Sequence, residues 1–155
     1  MGERDGQEWR DQQRQAVRAH ADADARRRAA EQAEAAKLVA WFVAEATRRG
    51  LRTTRLVAWG YGGRWRYRTR LTGWYVDRAK TRAVDVAGQF YLLTVRGGLR
   101  AWLFGVDPEP SPAPLVVGAG GRDGESIPLR TLLGRLLDDG TGESAPSPGP
   151  AAPRG

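Results

Sequence analysis

The sequence predicts an α+β protein with a long N-terminal helix, an antiparallel meander of about five short strands, a short C-terminal helix and a disordered C-terminal tail. Residues 3–36 consist mainly of good helix formers, with no Gly or Pro after Gly6. Short apolar runs separated by turn residues follow, and the final residues are rich in Gly, Pro and Ser. We therefore divide the chain into a polar helix (1–36), a compact domain (37–138) and a tail (139–155).

The N-terminal helix is expected to have two parts. The apolar positions of residues 3–36 are mainly alanines, so this part has little to bury and should be exposed or frayed. From residue 38 the helix gains an apolar face with i, i+3, i+4 spacing, which should dock on the sheet. The residues of this face are Leu38, Trp41, Phe42 and Ala46. Gly50 suits the position that follows a helix, because glycine adopts left-handed backbone angles readily.

The strands are predicted in the middle of the chain. The segments with strand composition are 51–59, 64–71, 74–76, 83–86, 89–95 and 99–106. The turn "GYGG" (60–63) and the polar "DRAKTR" (77–82) separate some of them, and Gly73 is expected to mark a bulge or a strand end. Short strands joined by short turns favour antiparallel pairing.

The C-terminal part begins with "DPEPSPAP" (107–114), which should be extended because proline fits neither a central strand nor a helix interior. A last short strand at 115–117 and the flexible loop "GAGGRDGES" (118–126) follow. Pro128 suits the first turn of a helix at 129–137, with Ser126 as its cap. Four leucines should form the apolar stripe of that helix, namely Leu132, Leu133, Leu136 and Leu137.

Three segments carry a resemblance to known sequences. These are "GWYVD", "GQFYLLTV" and "LVVGAGGRDGESIPLRTLL". They resemble segments of uncharacterised small proteins of high-GC actinobacteria, over roughly residues 50–137. The resemblance implies a shared bacterial fold and no known activity.

Composition limits the chemistry. The chain has no Cys and one His, which excludes disulfides, thiolate chemistry and cysteine-ligated zinc. His20 lies in the polar helix and is expected to be solvated, so no general base is in prospect. "GAGGRDG" lacks the glycine register of a dinucleotide site and the Gly-Lys-Ser/Thr of a phosphate-binding loop. We expect no enzyme, no catalytic residue, no cofactor, no metal and no small-molecule ligand.

The N-terminal sequence has no apolar run of a secretory signal, and no segment reaches the 18 or so apolar residues of a membrane span. A cytoplasmic protein without a membrane span is therefore expected.

The positive charge is concentrated in the middle of the chain. The net charge is +7 overall, but residues 51–105 carry 11 Lys or Arg and only two acids, Asp77 and Asp85. Codon bias in a GC-rich genome would raise arginine everywhere and would not remove acids from one third of the chain. The asymmetry indicates an anionic partner.

The stretch "RWRYRTRL" (64–71) places arginine at every second position. Because side chains alternate across a strand, its four arginines should share one face. Trp65, Tyr67 and Leu71 should share the other face and lie toward the helices and the core. Burial of both aromatic rings would weaken a model in which bases stack on them, because such sites need aromatic and cationic groups on one surface.

The candidate anion-binding residues are Arg64, Arg66, Arg68, Arg70, Arg52, Arg55, Arg78, Lys80 and Arg82. The preferred function is a small basic module that binds nucleic acid backbone with low sequence specificity. The alternative is an accessory factor that docks on an acidic protein. A third interpretation gives the arginines no partner: they would keep an open sheet face soluble and prevent edge-to-edge aggregation.

Overall fold

Helix α1 (Gly2–Arg48) opens the chain in the computed structural model, which describes residues 2–118 and 126–142. At about 1.5 Å per residue it is about 70 Å long. No residue from 4 to 34 is buried, as expected for an alanine-rich segment. The buried stripe begins at Ala35 and continues through Val39, Phe42 and Ala46. Trp41, predicted on this face, is 43% exposed, because it lies about 100° around the helix from Phe42 and so off the buried stripe. Gly50 ends the helix with a φ of 68°.

The strands are β1 (Thr54–Gly60), β2 (Arg66–Tyr75), β3 (Arg82–Asp85), β4 (Phe90–Leu92) and β5 (Thr94–Val95). They form one sheet in the order β4-β3-β2-β1-β5. The pairs β1–β2, β2–β3 and β3–β4 are antiparallel, which confirms the predicted meander. The pair β1–β5 is parallel, which the sequence did not predict.

Leu93 joins the two ends of this sheet. It is the one residue between β4 and β5, yet these strands stand at opposite ends of the strand order. Because consecutive Cα atoms are about 3.8 Å apart, the sheet must curl until its ends meet. The Leu93 N–H donates to Thr81 O at 2.7 Å, and the Leu93 carbonyl accepts from Trp59 N at 2.6 Å. The sheet is therefore a closed ring.

Two apolar clusters lie on opposite sides of the ring wall. The inner cluster contains Leu56, Ala83, Tyr91 and Leu93, with Leu71 and Tyr75 packed against it. The outer cluster joins the wall to the helices. Its members include Phe42 from α1 and Trp74 from β2, whose rings meet edge to face at 5.5 Å. Tyr67 and Leu71 thus face away from the helices, which corrects the prediction that they pack toward them.

The pairing of β1 with β2 is irregular between Arg55 and Val57, where β2 has two extra residues. Two side chains of β2 form hydrogen bonds with backbone groups of β1 at this irregularity. The Thr69 hydroxyl donates to Leu56 O at 2.6 Å, and the Tyr75 hydroxyl accepts from Val57 N at 2.9 Å. Gly73 lies inside the continuous β2, so the predicted strand end is wrong, whereas the irregular pairing between Arg68 and Thr72 lies next to this glycine, close to the predicted bulge.

The segment predicted as a strand at 99–106 is instead a helix, α2 (Leu99–Phe104). Leu, Arg and Ala favour helix, and the free edge of β4 is bridged by Pro110 further along the chain. The Val106 N–H donates to Arg68 O at 2.8 Å and fastens the end of this segment to β2.

The extended proline segment leads to a two-stranded sheet of β6 (Val116–Gly118) and β7 (Ser126–Pro128), followed by α3 (Leu129–Gly142). Ser126 and Pro128 lie in β7. Ser126 therefore does not cap α3, and Pro128 does not lie in its first turn, contrary to the prediction. Leu129, Leu133 and Leu137 are buried in the outer cluster, with Leu132 and Leu136 packed against it. Residues 139–142, predicted to begin the disordered tail, belong to α3, which runs one turn further than expected. The rest of the predicted tail and most of the predicted loop at 118–126 lie outside the described residues.

Candidate functional site

The arginines of β2 share the outer side of the ring. Arg66, Arg68 and Arg70 are exposed, whereas Tyr67 and Thr69 between them are buried. This confirms the predicted alternation. The strand begins at Arg66, so Arg64 lies in the preceding turn. Side chains two residues apart are about 6.6 Å apart along a strand, so the three arginines span about 13 Å.

Strand β1 extends this surface sideways. In the antiparallel pair, Trp59 stands opposite Arg66, Val57 opposite Arg68 and Arg55 opposite Thr72. Opposite residues project from the same side of a sheet. Arg55 therefore joins the β2 arginines on the outer side. We call the surface formed by Arg55, Arg66, Arg68 and Arg70 the arginine face.

An aromatic ring supports one end of the arginine face. The Arg66 guanidinium carbon lies 5.3 Å from the centre of the half-buried Trp59 ring. A cation above an indole face interacts favourably with the ring quadrupole. The contact holds Arg66 on the surface without an anionic partner.

Trp65 is not buried, contrary to the prediction. It is 61% exposed. Its backbone carbonyl accepts from Gly60 N at 2.9 Å, which closes the turn between β1 and β2. A side chain at Gly60 would begin 3.2 Å from Tyr67 Cε2 and 3.5 Å from Trp65 Cβ, so Trp65 lies on the Tyr67 side of the strand pair. The predicted separation of these aromatic residues from the arginines therefore holds, and the predicted burial of Trp65 is wrong.

Helix α2 borders the arginine face at Arg68. The Arg68 Nη2 donates to Leu103 O at 3.4 Å. Arg96 lies just before this helix and Arg100 lies on it, and both side chains are exposed. The prediction omitted these two arginines because a strand at 99–106 gave no reason to place them beside β2. Both arginines lie in the acid-poor segment 51–105, and this feature of the sequence could have added them to the predicted site.

The remaining predicted site residues lie apart from the arginine face. Arg78 and Lys80 lie in the turn after β2 and Arg82 begins β3, at the opposite end of β2 from Arg64. A strand of ten residues is about 30 Å long, so the structure does not bring these two groups together. Arg52 is exposed just before β1. Lys80 lies 5.5 Å from the centre of the Tyr75 ring.

The two acids of the basic segment are held by structural bonds. Asp77 accepts from the Thr81 and Arg82 backbone N–H groups and pairs with Arg82 at 3.0 Å, so Arg82 is partly neutralised. Asp85 is buried and accepts from the backbone N–H groups of Ala87 and Gln89. Among the described residues, no ion pair involves the arginine face. Its positive charge is thus uncompensated within this part of the chain.

The Tyr91 hydroxyl donates to Asp85 Oδ2 at 3.0 Å inside the ring. Burial, followed by this bond to the carboxylate, raises the pKa of Tyr91 because both disfavour the phenolate. Elsewhere, hydrogen bonds from Arg48 and then Arg49 lower the pKa of Glu45 to about 2. Both groups stabilise the fold and lie away from the arginine face.

A cavity of about 760 Å³ lies between α3 and the turn after β2. Asp77, Arg82 and Arg135 line it together with apolar residues. The oxygens of Asp77 are already bonded, as described above. His20 is exposed on α1. Within residues 2–118 and 126–142, no cluster of three potential metal ligands occurs, and no helix is long and apolar enough to cross a membrane.

Comparisons with protein-family models, with curated proteins and with solved structures gave no match to this chain.

Proposed function

We propose that the protein binds the phosphate backbone of nucleic acid through the arginine face, with low sequence specificity. The observation that carries this proposal is the absence of any ion pair to Arg55, Arg66, Arg68 or Arg70 among the described residues. Four like charges on one strand pair repel one another, and a surface kept only for solubility normally mixes both signs. A polyanion would relieve that repulsion.

The geometry of the face agrees with contacts to phosphates rather than to bases. The arginines stand on two paired strands of a closed sheet, so the backbone fixes their spacing. About 13 Å of β2 separates Arg66 from Arg70, whereas each strand of a duplex advances about 3.4 Å along the helix axis per phosphate. Each arginine would therefore reach a different phosphate, and phosphate contacts carry no sequence information.

Salt dependence tests this proposal directly. Four neutralised phosphates predict a slope of about −3.6 for log K against log salt with duplex DNA. We would measure fluorescence anisotropy of labelled DNA and RNA oligonucleotides at several salt concentrations. The variant Arg66→Glu/Arg68→Glu should weaken binding strongly and make the slope shallower.

A matched control separates the arginine face from net charge. The variant Arg18→Glu/Arg27→Glu changes the charge equally, at two exposed residues of α1. It should bind far better than the β2 variant. Equal weakening in both variants would mean that the chain attracts nucleic acid through overall charge alone. Absence of binding at low salt would overturn the proposal.

The second candidate is an accessory factor that docks on an acidic protein. Helix α2 favours it, since its bulky apolar residues are exposed: Leu99 is 82% exposed and Phe104 is 77% exposed. Protein interfaces often place an apolar centre inside a charged rim, and α2 adjoins Arg68. Affinity purification after nuclease treatment would recover one acidic protein. The substitution Leu99→Ser/Phe104→Ser should abolish that recovery and leave oligonucleotide binding intact.

A further inference from the structure

Helix α2 turns its bulky apolar residues toward solvent. Trp102 and Leu103 are each 55% exposed, and Leu99 and Phe104 are more exposed still. The small Ala101 is the one residue of α2 that is half-buried. A surface helix normally directs its apolar stripe at the core. The reversed arrangement indicates that α2 contacts something other than its own ring.

Helical geometry arranges these residues as a ridge. Leu99 and Leu103 each lie two positions from Ala101, which is about 200° around the helix, so they stand on the side away from the ring. Trp102 and Phe104 lie on either side of them. An apolar stripe that docks in a protein groove repeats at i, i+3, i+4 and i+7, and α2 has only six residues. A lipid interface, which needs no such repeat, can surround the whole ridge.

Cationic residues adjoin this ridge. Arg100 lies on α2 beside Leu103, at i+3 spacing, and Arg96 lies just before the helix. At the other end of α2, the Arg68 Nη2 donates to Leu103 O at 3.4 Å, so one residue of the arginine face meets the helix. Among the described residues, none of these arginines forms an ion pair, and Asp107, the first acid after the helix, pairs with none of them. Their charge complements an anionic surface.

Two other ways to cover the ridge agree less well with the charge and the sequence. A second copy of the chain would bring the same cationic groups together, because a two-fold interface joins the same patch of both chains. The segments of this chain outside the described residues are 1, 119–125 and 143–155. Apart from Met1 they contain no bulky apolar side chain, so they offer little apolar cover.

We infer that α2 inserts its apolar ridge into the interface of an anionic lipid bilayer, with Arg68, Arg96 and Arg100 on the lipid phosphates. Tryptophan favours this interface, and arginine can lay its aliphatic stem along apolar groups while its charged head stays in water. Peripheral binding strengthens with buried apolar area and with attraction to anionic lipid, and α2 offers both. The inference goes beyond nucleic-acid binding and assigns α2 to lipid instead of to an acidic protein.

The test is co-sedimentation of the full-length chain with vesicles of phosphatidylcholine and phosphatidylglycerol in equal parts, compared with vesicles of phosphatidylcholine alone. Leu99→Ser/Leu103→Ser should weaken binding by about 10- to 100-fold, as expected for partial burial of two leucines. Arg96→Gln/Arg100→Gln should weaken binding to the anionic vesicles by about 30-fold and change binding to the neutral ones little. Because all four side chains are exposed, the fold should persist, and urea unfolding would verify this.

Trp9→Ser/Val17→Ser is the matched control for the loss of exposed apolar surface. These residues are 63% and 62% exposed, on the part of α1 that has no buried residue, and the variant should bind vesicles like the native chain. Insertion has its own measurement, because lipids with brominated acyl chains quench tryptophans that enter the bilayer. Trp102→Phe should remove most of the quenching and retain most of the affinity.

The inference is wrong if the native chain binds neither kind of vesicle, or if Leu99→Ser/Leu103→Ser binds anionic vesicles as tightly as the native chain. Vesicle binding without quenching would also overturn it, since the chain would then adsorb through its arginines alone. Recovery of an acidic protein by a chain that binds no vesicles would assign α2 to that protein. The proposed function is judged separately by oligonucleotide binding, which Leu99→Ser/Leu103→Ser should leave unchanged.

Discussion

The Arg66 guanidinium lies 5.3 Å from the centre of the Trp59 ring, and these two residues stand opposite each other in the β1–β2 pair. The register of the two strands therefore creates the contact, and it positions the first arginine of the arginine face.

A double-mutant cycle with Trp59→Leu and Arg66→Met should give a coupling of about 0.5–1 kcal/mol, as expected for an exposed cation–π contact. Urea unfolding of the four proteins would measure it. A coupling near zero would mean that Trp59 does not hold Arg66. Val57 and Arg68 also stand opposite each other, so Val57→Ala/Arg68→Met provides a control cycle without an aromatic ring.

Leu93→Ala should lower the free energy of unfolding by about 2–5 kcal/mol, the usual cost of truncating a fully buried leucine. Leu93 is buried in the inner cluster where the sheet closes. Leu92→Ala is the neighbouring control, because Leu92 is 50% exposed, and it should cost about 0.5 kcal/mol or less. Chemical denaturation would compare them. Equal losses would contradict the closure at Leu93.

Tyr91→Phe should change the response of stability to alkaline pH. The pKa of Tyr91 is raised in the folded protein, so the proton stabilises the fold below the ordinary pKa of about 10. This contribution disappears as the pH rises through the folded pKa. The variant should be less stable than the native chain at pH 7, and the gap should narrow above pH 10. Urea unfolding from pH 7 to 11 would test this. Parallel curves would contradict it.

Glu45→Gln should change how the stability of the protein declines at acidic pH. Bonds from Arg48 and Arg49 hold the pKa of Glu45 at about 2 in the folded protein, against 4.5 for the free group. The carboxylate therefore stabilises the fold above pH 4.5, and this contribution is lost as the pH falls toward 2. Thermal melting between pH 7 and 2 should show a smaller decline for the variant. Arg49 also lies 3.6 Å from Asp138 of α3, so Asp138→Asn is a useful companion that retains Glu45.

Local sequence patterns determined much of the fold. The period of two in residues 66–70 gave the exposed arginines of β2, because side-chain alternation depends only on the strand being extended. Other predictions from local patterns were also confirmed. These are the helix end at Gly50, the antiparallel pairing of neighbouring strands and the leucine stripe of α3. The concentration of charge in residues 51–105 also needed no structure.

Long-range pairing decided the rest. The sequence around Leu93 does not reveal that its backbone bonds both Thr81 and Trp59, because those partners are distant in sequence. The predicted strand at 99–106 is the helix α2 beside Arg68, and the proline segment after it bridges the free edge of β4.

The arginine face depends on both local sequence patterns and tertiary structure. The sequence determined that this protein presents a row of arginines in a segment almost without acids. Only the tertiary structure decided that Asp77 and Asp85 are used in turns, that Arg78 and Lys80 lie away from the row, and that Trp65 is exposed. Alternation is a property of one strand, whereas burial, bonding partners and proximity depend on which distant segments meet.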